Sequence, residues 1–177
     1  MYLQISNYLR ISVLASFLIF SVITCYSQDI TLKEGDAAPD FKLQADDGSW
    51  IKLSDYKGSS NVVLYFYPKD KTSGCTKEAC NFRDNISKIT DQNAIVLGVS
   101  VDDIDSHKSF KEEQNLNFIL LADTTKEVSK QYSGLNQMGM SKRVTFIIGK
   151  DGVIKKIFPN VDVNEHYKEI VDALGKI

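Results

Sequence analysis

Residues 62–67 read Val62, Val63, Leu64, Tyr65, Phe66, Tyr67, an unbroken apolar, β-branched and aromatic run that Pro68 cuts off. A strand without polar alternation has both faces covered, which in a globular domain means a largely parallel sheet with helices on either side. Proline has no N–H for the ladder, so the chain must leave the sheet at Pro68. Whatever follows that exit starts at the edge of a buried sheet.

The rest of the chain repeats this logic. Residues 94–101 form a second buried run, 102–114 a helical pattern, 118–121 a third strand, and 125–132 a short helix closed by Gly134. Residues 144–148 and 153–158 flank a turn at 149–152 and read as a β-hairpin. A final helix is expected from near Asp162, where Asp162 and Glu165 make a capping-box pattern, with Val163, Tyr167, Ile170, Val171 and Leu174 at helical spacing. Upstream, Gly48 between two short strand-like pieces predicts another hairpin, and residues 53–58 a helical turn ended by Gly58. The order of elements argues for an α/β fold, a central mixed β-sheet flanked by helices with an N-terminal β-hairpin.

Residues 1–27 stand apart. Arg10 is their single charge, and residues 11–24 form an apolar stretch too short for a comfortable membrane span. Cys25 and Ser27 place small residues three and one before a cut ahead of Gln28, so an export signal cleaved after Ser27 is expected. A lipoprotein signal ending at a lipidated Cys25 is second, Thr24 fitting it poorly, and a retained membrane anchor is third. All three put a single domain of residues 28–177 outside the cytosol, in the periplasm or at a bacterial surface. With 43% apolar residues the domain can bury a real core. A net charge of −2 gives no reason to expect nucleic acid as a partner, and three cysteines are too few for a disulfide scaffold.

Two of those cysteines lie just past the exit at Pro68. A helix starting at about Cys75 puts Cys75, Ala79, Phe82, Ile86 and Ile89 on one buried stripe. Cys75 then sits at the helix N-terminus, where free backbone N–H groups and the dipole favour a thiolate relative to a free thiol of pKa about 8.5. Cys80 falls roughly 140° away, toward solvent. Five residues of helix separate the two α-carbons by roughly 8.5 Å, and a disulfide needs less than about 7 Å. If the pair bonds, the first turns must unwind.

Tyr65, Phe66, Tyr67, Pro68, Lys69, Asp70 and Thr72, followed by Gly74, Cys75, Thr76, Lys77, Glu78, Ala79, Cys80 and then Phe82, Arg83 and Asp84, resemble the peroxiredoxins of the bacterioferritin comigratory protein, or peroxiredoxin Q, type. The resemblance runs from about Glu34 to the C-terminus. It implies a thioredoxin-like fold and a thiol-dependent peroxidase without a cofactor or metal. It also implies that Cys75 is the peroxidatic residue and that Cys80 resolves its sulfenic acid as a Cys75–Cys80 disulfide. Thr72 matches a hydroxyl that helps bind peroxide, Pro68 a residue shielding the site, and Arg143, before the strand at 144–148, an arginine that holds the thiolate. The N–H groups of Gly74 and Cys75 are expected to face the peroxide. A thioredoxin-like protein is the implied reductant and a monomer the implied state. Ser73 departs from the family, where many members carry proline, and should loosen the loop slightly.

Other readings fit less well. A zinc site needs two further ligands, and neither His107 nor His166 has a Cys or His near it in sequence. A disulfide oxidoreductase would carry Cys-x-x-Cys, and a copper-delivery module would want closer cysteines and a dedicated late histidine. Three more side chains are read as structural: Trp50 as a strand residue packing on the core, His107 as a partly buried packing residue rather than a proton shuttle, and His166 as a surface residue.

Overall fold

The computed structural model describes residues 30–177. In chain order they form β1 (Lys42–Ala45), β2 (Trp50–Lys52), β3 (Asn61–Phe66), α1 (Ser73–Asp84), α2 (Ile86–Thr90), β4 (Ala94–Ser100), α3 (Ile104–Gln114), β5 (Ile119–Ala122), α4 (Glu127–Tyr132), β6 (Val144–Ile148), β7 (Ile154–Phe158) and α5 (His166–Leu174). The expected signal and its cleavage after Ser27 lie outside the described residues. No helix among those described is long and apolar enough to cross a membrane.

The strands make one mixed sheet in the order β2-β1-β5-β4-β3-β6-β7. Its centre is parallel: β3 pairs with β4, and β4 with β5. β1 and β6 join antiparallel on either side, each carrying its hairpin partner to the edge. The unbroken run of β3 is explained by its two faces. Val62, Leu64 and Phe66 enter one core layer with Val128, Tyr132 and Phe146. Val63, Tyr65 and Tyr67 enter the other, beneath Cys75, Ala79 and Phe82 of α1, Phe110 of α3 and Ile170 and Leu174 of α5. Each fully covered Val, Leu, Ile or Phe side chain among these contributes about 1.5–3 kcal/mol.

Local chemistry sets the helix ends. Asp103 caps α3 by accepting the Ser106 N–H at 2.8 Å, and Asn115 closes it in the left-handed region at φ 50°. The stripe at 75–89 is not one helix: Asn85, at φ −118° and ψ 15°, breaks it into α1 and α2, yet Ile89 stays buried on the same side. At α5 the expected capping box does not form. The Asp162 side chain instead accepts from the Asn164 backbone, and the regular helix begins only at His166.

Three structural assignments are corrected. Trp50 is 56% exposed. In the edge strand β2 it is Ile51, between Trp50 and Lys52, that packs on the core, while the indole lies outside under the Lys42 ammonium, 5.0 Å from its centroid. His107 is fully buried, not partly, and its Nδ1 is hydrogen-bonded to the Asp70 carboxylate at 2.8 Å. His166 is 1% exposed, its ring edge-on to Phe82 and Phe158 and its Nε2 2.8 Å from the Thr145 hydroxyl. Burial lowers this imidazole against the raising hydrogen bond of Glu169, so it is neutral at pH 7.

Candidate active site

The site lies at the carboxyl ends of the parallel strands, where ligands collect in sheets of this kind. β3 ends at Phe66, and the chain turns through Pro68 to Thr72, which stands at the N-cap of α1 in extended conformation. The Thr72 carbonyl accepts the Thr76 N–H at 2.8 Å, while its hydroxyl donates to the Lys69 carbonyl at 3.1 Å. Helix α1 starts at Ser73, two residues before the expected point, so Cys75 lies in its first turn among backbone N–H groups free of helical partners.

Register explains how a distant residue reaches this point. β6 runs antiparallel to β3 with Val144 opposite Phe66, so the residue before Val144 emerges beside the exit of β3. That residue is Arg143. Its Nη2 donates to Cys75 Sγ at 3.2 Å and lies 3.5 Å from where a Cβ on Gly74 would stand. Its Nη1 pairs with Glu78 Oε2. The guanidinium thus bridges sulfur and carboxylate, a use of its planar fork that a lysine cannot reproduce. Burial opposes its charge, but Glu78 and Cys75 outweigh burial and raise its pKa further.

Glu78 was not singled out from the sequence. It is 1% exposed, and its second oxygen, Oε1, has no hydrogen-bond partner among the described residues. Burial and Arg143 act on it in opposite directions. Burial wins, and the carboxyl is pushed up to about 7, as expected for a carboxylate with one bare oxygen in the interior. A signal was available, since Glu78 is three residues from Cys75 and falls on the same apolar stripe, where a charge needs a partner.

A second network, also missed, fixes the loop behind the site. Asp70 is buried and accepts from the Tyr67 hydroxyl at 2.7 Å, the Ser106 hydroxyl at 2.8 Å and His107 Nδ1 at 2.8 Å. Its own N–H donates to Asp102 at 3.0 Å. Burial opposes the charge, but His107, Tyr67 and Ser106 together hold the carboxyl below its ordinary range. Next along, Lys71 at φ 60° reaches Ser109 and Glu113 of α3. The loop from Pro68, which is half-buried, to Thr72 is therefore nailed to α3.

Of the expected site residues, Thr72, Gly74, Cys75 and Arg143 come together at the start of α1, and Pro68 lies in the loop that leads to it. Cys75 and Cys80 are both free thiols in an intact helix. Cys75 is 2% exposed. Cys80 is half-buried rather than out in solvent, its Sγ 3.6 Å from Gln114 Oε1. Among the described residues no cluster of three or more His, Cys, Asp or Glu side chains is placed to hold a metal.

Residues 34–157 match the family model described as the AhpC/TSA family. The chain belongs to this family, that of the thiol-dependent peroxidases. Peroxiredoxin Bcp of Bacillus subtilis is 41% identical over 153 residues, 82% of this chain and 96% of the relative. Among solved structures, the peroxidoxin BcpB of Mycobacterium tuberculosis superposes with a TM-score of 0.77 at 31% identity, over 82% of this chain and 98% of that one. The bacterioferritin comigratory protein of Xanthomonas campestris superposes at 0.75 with 27% identity, over 84% and 98%. These relatives make the chain a peroxiredoxin of the Bcp, or peroxiredoxin Q, type, with the thioredoxin-like fold and an activity that consumes peroxide at the expense of a thiol reductant.

Proposed function

We propose that Cys75 is the sulfur that attacks the peroxide and that Cys80 closes the cycle. The observation carrying this reading is the Arg143 contact with Cys75 Sγ at 3.2 Å, made at a helix N-terminus. Negative charge on the sulfur is supported from two sides, and a thiolate is the form that acts as nucleophile. As the O–O bond breaks, charge moves to the leaving oxygen, which on this reading the N–H groups of Gly74 and Cys75 and the Thr72 hydroxyl meet. In the reduced structure that hydroxyl is turned to the Lys69 carbonyl, so binding peroxide would rotate it. Pro68 shields the site.

The cycle has three steps. The Cys75 thiolate attacks ROOH, forming the S–O bond of a sulfenic acid and releasing ROH once the leaving oxygen takes a proton. The start of α1 unwinds, since the intact helix keeps the sulfurs apart, and Cys80 condenses with the sulfenic acid to give a disulfide and water. A thioredoxin-like dithiol protein then reduces the disulfide by exchange. The substrate range covers hydrogen peroxide and organic hydroperoxides; the Xanthomonas relative is described in terms of alkyl peroxide reduction. The protein is read as a monomer, as the family resemblance implies, and as working outside the cytosol, which the signal-like residues 1–27 support; mass spectrometry of the mature N-terminus tests the export step.

Stopped-flow mixing of reduced protein with one equivalent of peroxide tests the assignment. Cys75→Ser abolishes peroxide consumption. Cys80→Ser consumes one equivalent and stops at the sulfenic acid, trapped by a dimedone reagent. Peroxide consumption surviving in Cys75→Ser, or lost in Cys80→Ser, refutes the division of labour.

A further inference from the structure

Cys80 stands in the half of α1 that is fastened to its surroundings. One residue on, the Asn81 side chain donates to the Val163 carbonyl at 2.7 Å. Arg83 is held at several points. Its Nη1 donates to the Gln114 carbonyl at 2.5 Å, its Nε to Asp84 at 2.8 Å, and its own carbonyl accepts from Asn117 at 3.1 Å. Gln114, the last residue of α3, is fixed by the helix end at Asn115 and by buried Leu116 and Phe118. The two residues meet beside Cys80. Cys80 Sγ donates to Gln114 Oε1 at 3.6 Å, and Arg83, three residues on and so one turn along the same helix, reaches the Gln114 carbonyl.

We propose that Arg83 and Gln114 act in the resolving step, holding Cys80 in place while the Cys75 end of α1 unwinds and supporting the negative charge of its thiolate during attack. The proposal rests on the reading of Cys80 as the resolving residue. Cys80 Sγ⁻ attacks the sulfenic sulfur of Cys75. The S–S bond forms, the S–O bond breaks, and hydroxide leaves with the electron pair to become water. The Cys80 sulfur is oxidised and the sulfenic sulfur reduced; the oxidising equivalent is the one already delivered by peroxide. A guanidinium one helical turn from the attacking sulfur offers positive charge to the negative charge carried during attack. Gln114 suits both states, because its amide accepts from the thiol through oxygen and, turned over, donates to the thiolate through nitrogen. Geometry then makes Cys75 the travelling partner and Cys80 the fixed one.

Alkylation of Cys80 by iodoacetamide at pH 7 in a reduced Cys75→Ser background, followed by mass spectrometry, tests the clasp without any peroxide chemistry. Arg83→Met is expected to slow alkylation about tenfold and Gln114→Leu about threefold, with Arg83→Lys recovering most of the rate because it restores the charge. In the two-cysteine protein, Arg83→Met leaves the Cys75 peroxide phase at its normal rate while the disulfide closes about tenfold more slowly and trappable sulfenic acid accumulates. Alkylation no slower in Arg83→Met and Gln114→Leu, or an Arg83→Lys protein as slow as Arg83→Met, overturns the proposal. If alkylation shows the Arg83 effect but no variant consumes peroxide, the peroxidase reading fails and the clasp stands.

Discussion

Replacing Glu78 by glutamine separates the burial of this carboxyl from its pairing with Arg143. In the folded protein the carboxyl is pushed up to about 7 from an ordinary value of 4.5. Between those two values the folded state binds the proton more tightly than the unfolded chain. The contribution to stability is therefore complete below pH 4.5 and is lost as pH rises through 7. The full shift corresponds to roughly 3 kcal/mol, and between pH 5 and pH 8.5 about 2–3 kcal/mol of it disappears. Glutamine copies the protonated shape and cannot ionise, so Glu78→Gln should match the parent near pH 5 and exceed it by about 2–3 kcal/mol at pH 8.5. Urea unfolding of both reduced proteins, followed by far-ultraviolet circular dichroism at the two pH values, measures this directly. If the stability difference does not change with pH, or if the glutamine protein is the weaker one at pH 8.5, Arg143 outweighs burial and the reasoning is wrong.

Three further outcomes follow from the same structure. Arg143→Met should slow the reaction of Cys75 with peroxide by about 10²–10³-fold in stopped flow, and Arg143→Lys should recover only part of it, since one ammonium cannot span sulfur and carboxylate. Asp70→Asn should cost about 1–3 kcal/mol at pH 7 by weakening the buried hydrogen bonds made by Tyr67, Ser106 and His107. Because the Asp70 carboxyl is held below its ordinary range, its contribution is present above that range and lost as pH falls below it through the lowered folded value, so the parent and variant should converge in acid. Gly98→Ala should cost about 1–3 kcal/mol, read as a lower urea midpoint with unchanged slope, because the new Cβ would meet Tyr65 Cε1 at 2.8 Å and Leu120 Cδ2 at 2.9 Å.

What the sequence discloses and what it hides divide along a physical line. β3 and β4 are readable because both their faces are dry, and the hairpin at β6 and β7 because a turn joins two apolar runs. The stripe Cys75, Ala79, Phe82 and Ile89 is readable because helix period and burial agree. Trp50 misled because alternation defines two faces of a strand without saying which one is covered, and an edge strand leaves one open. His107 and His166 misled because a buried imidazole depends on partners brought by other elements, Asp70 from the β3 exit and Thr145 from β6. The same holds for Asp162 and Glu165, whose capping spacing is overridden by an Asn164 turn. Glu78 is the one omission the helical period alone exposes.

The pairing of Phe66 with Val144 sets a timetable for reactivity. A growing chain presents Cys75 long before it has Arg143, which follows 68 residues later. Until the sixth strand zips onto the third, that thiol lacks its cationic neighbour and behaves like any other in an unfolded polypeptide. If Cys75 is the attacking sulfur, its competence to be oxidised quickly arrives only when the sheet closes.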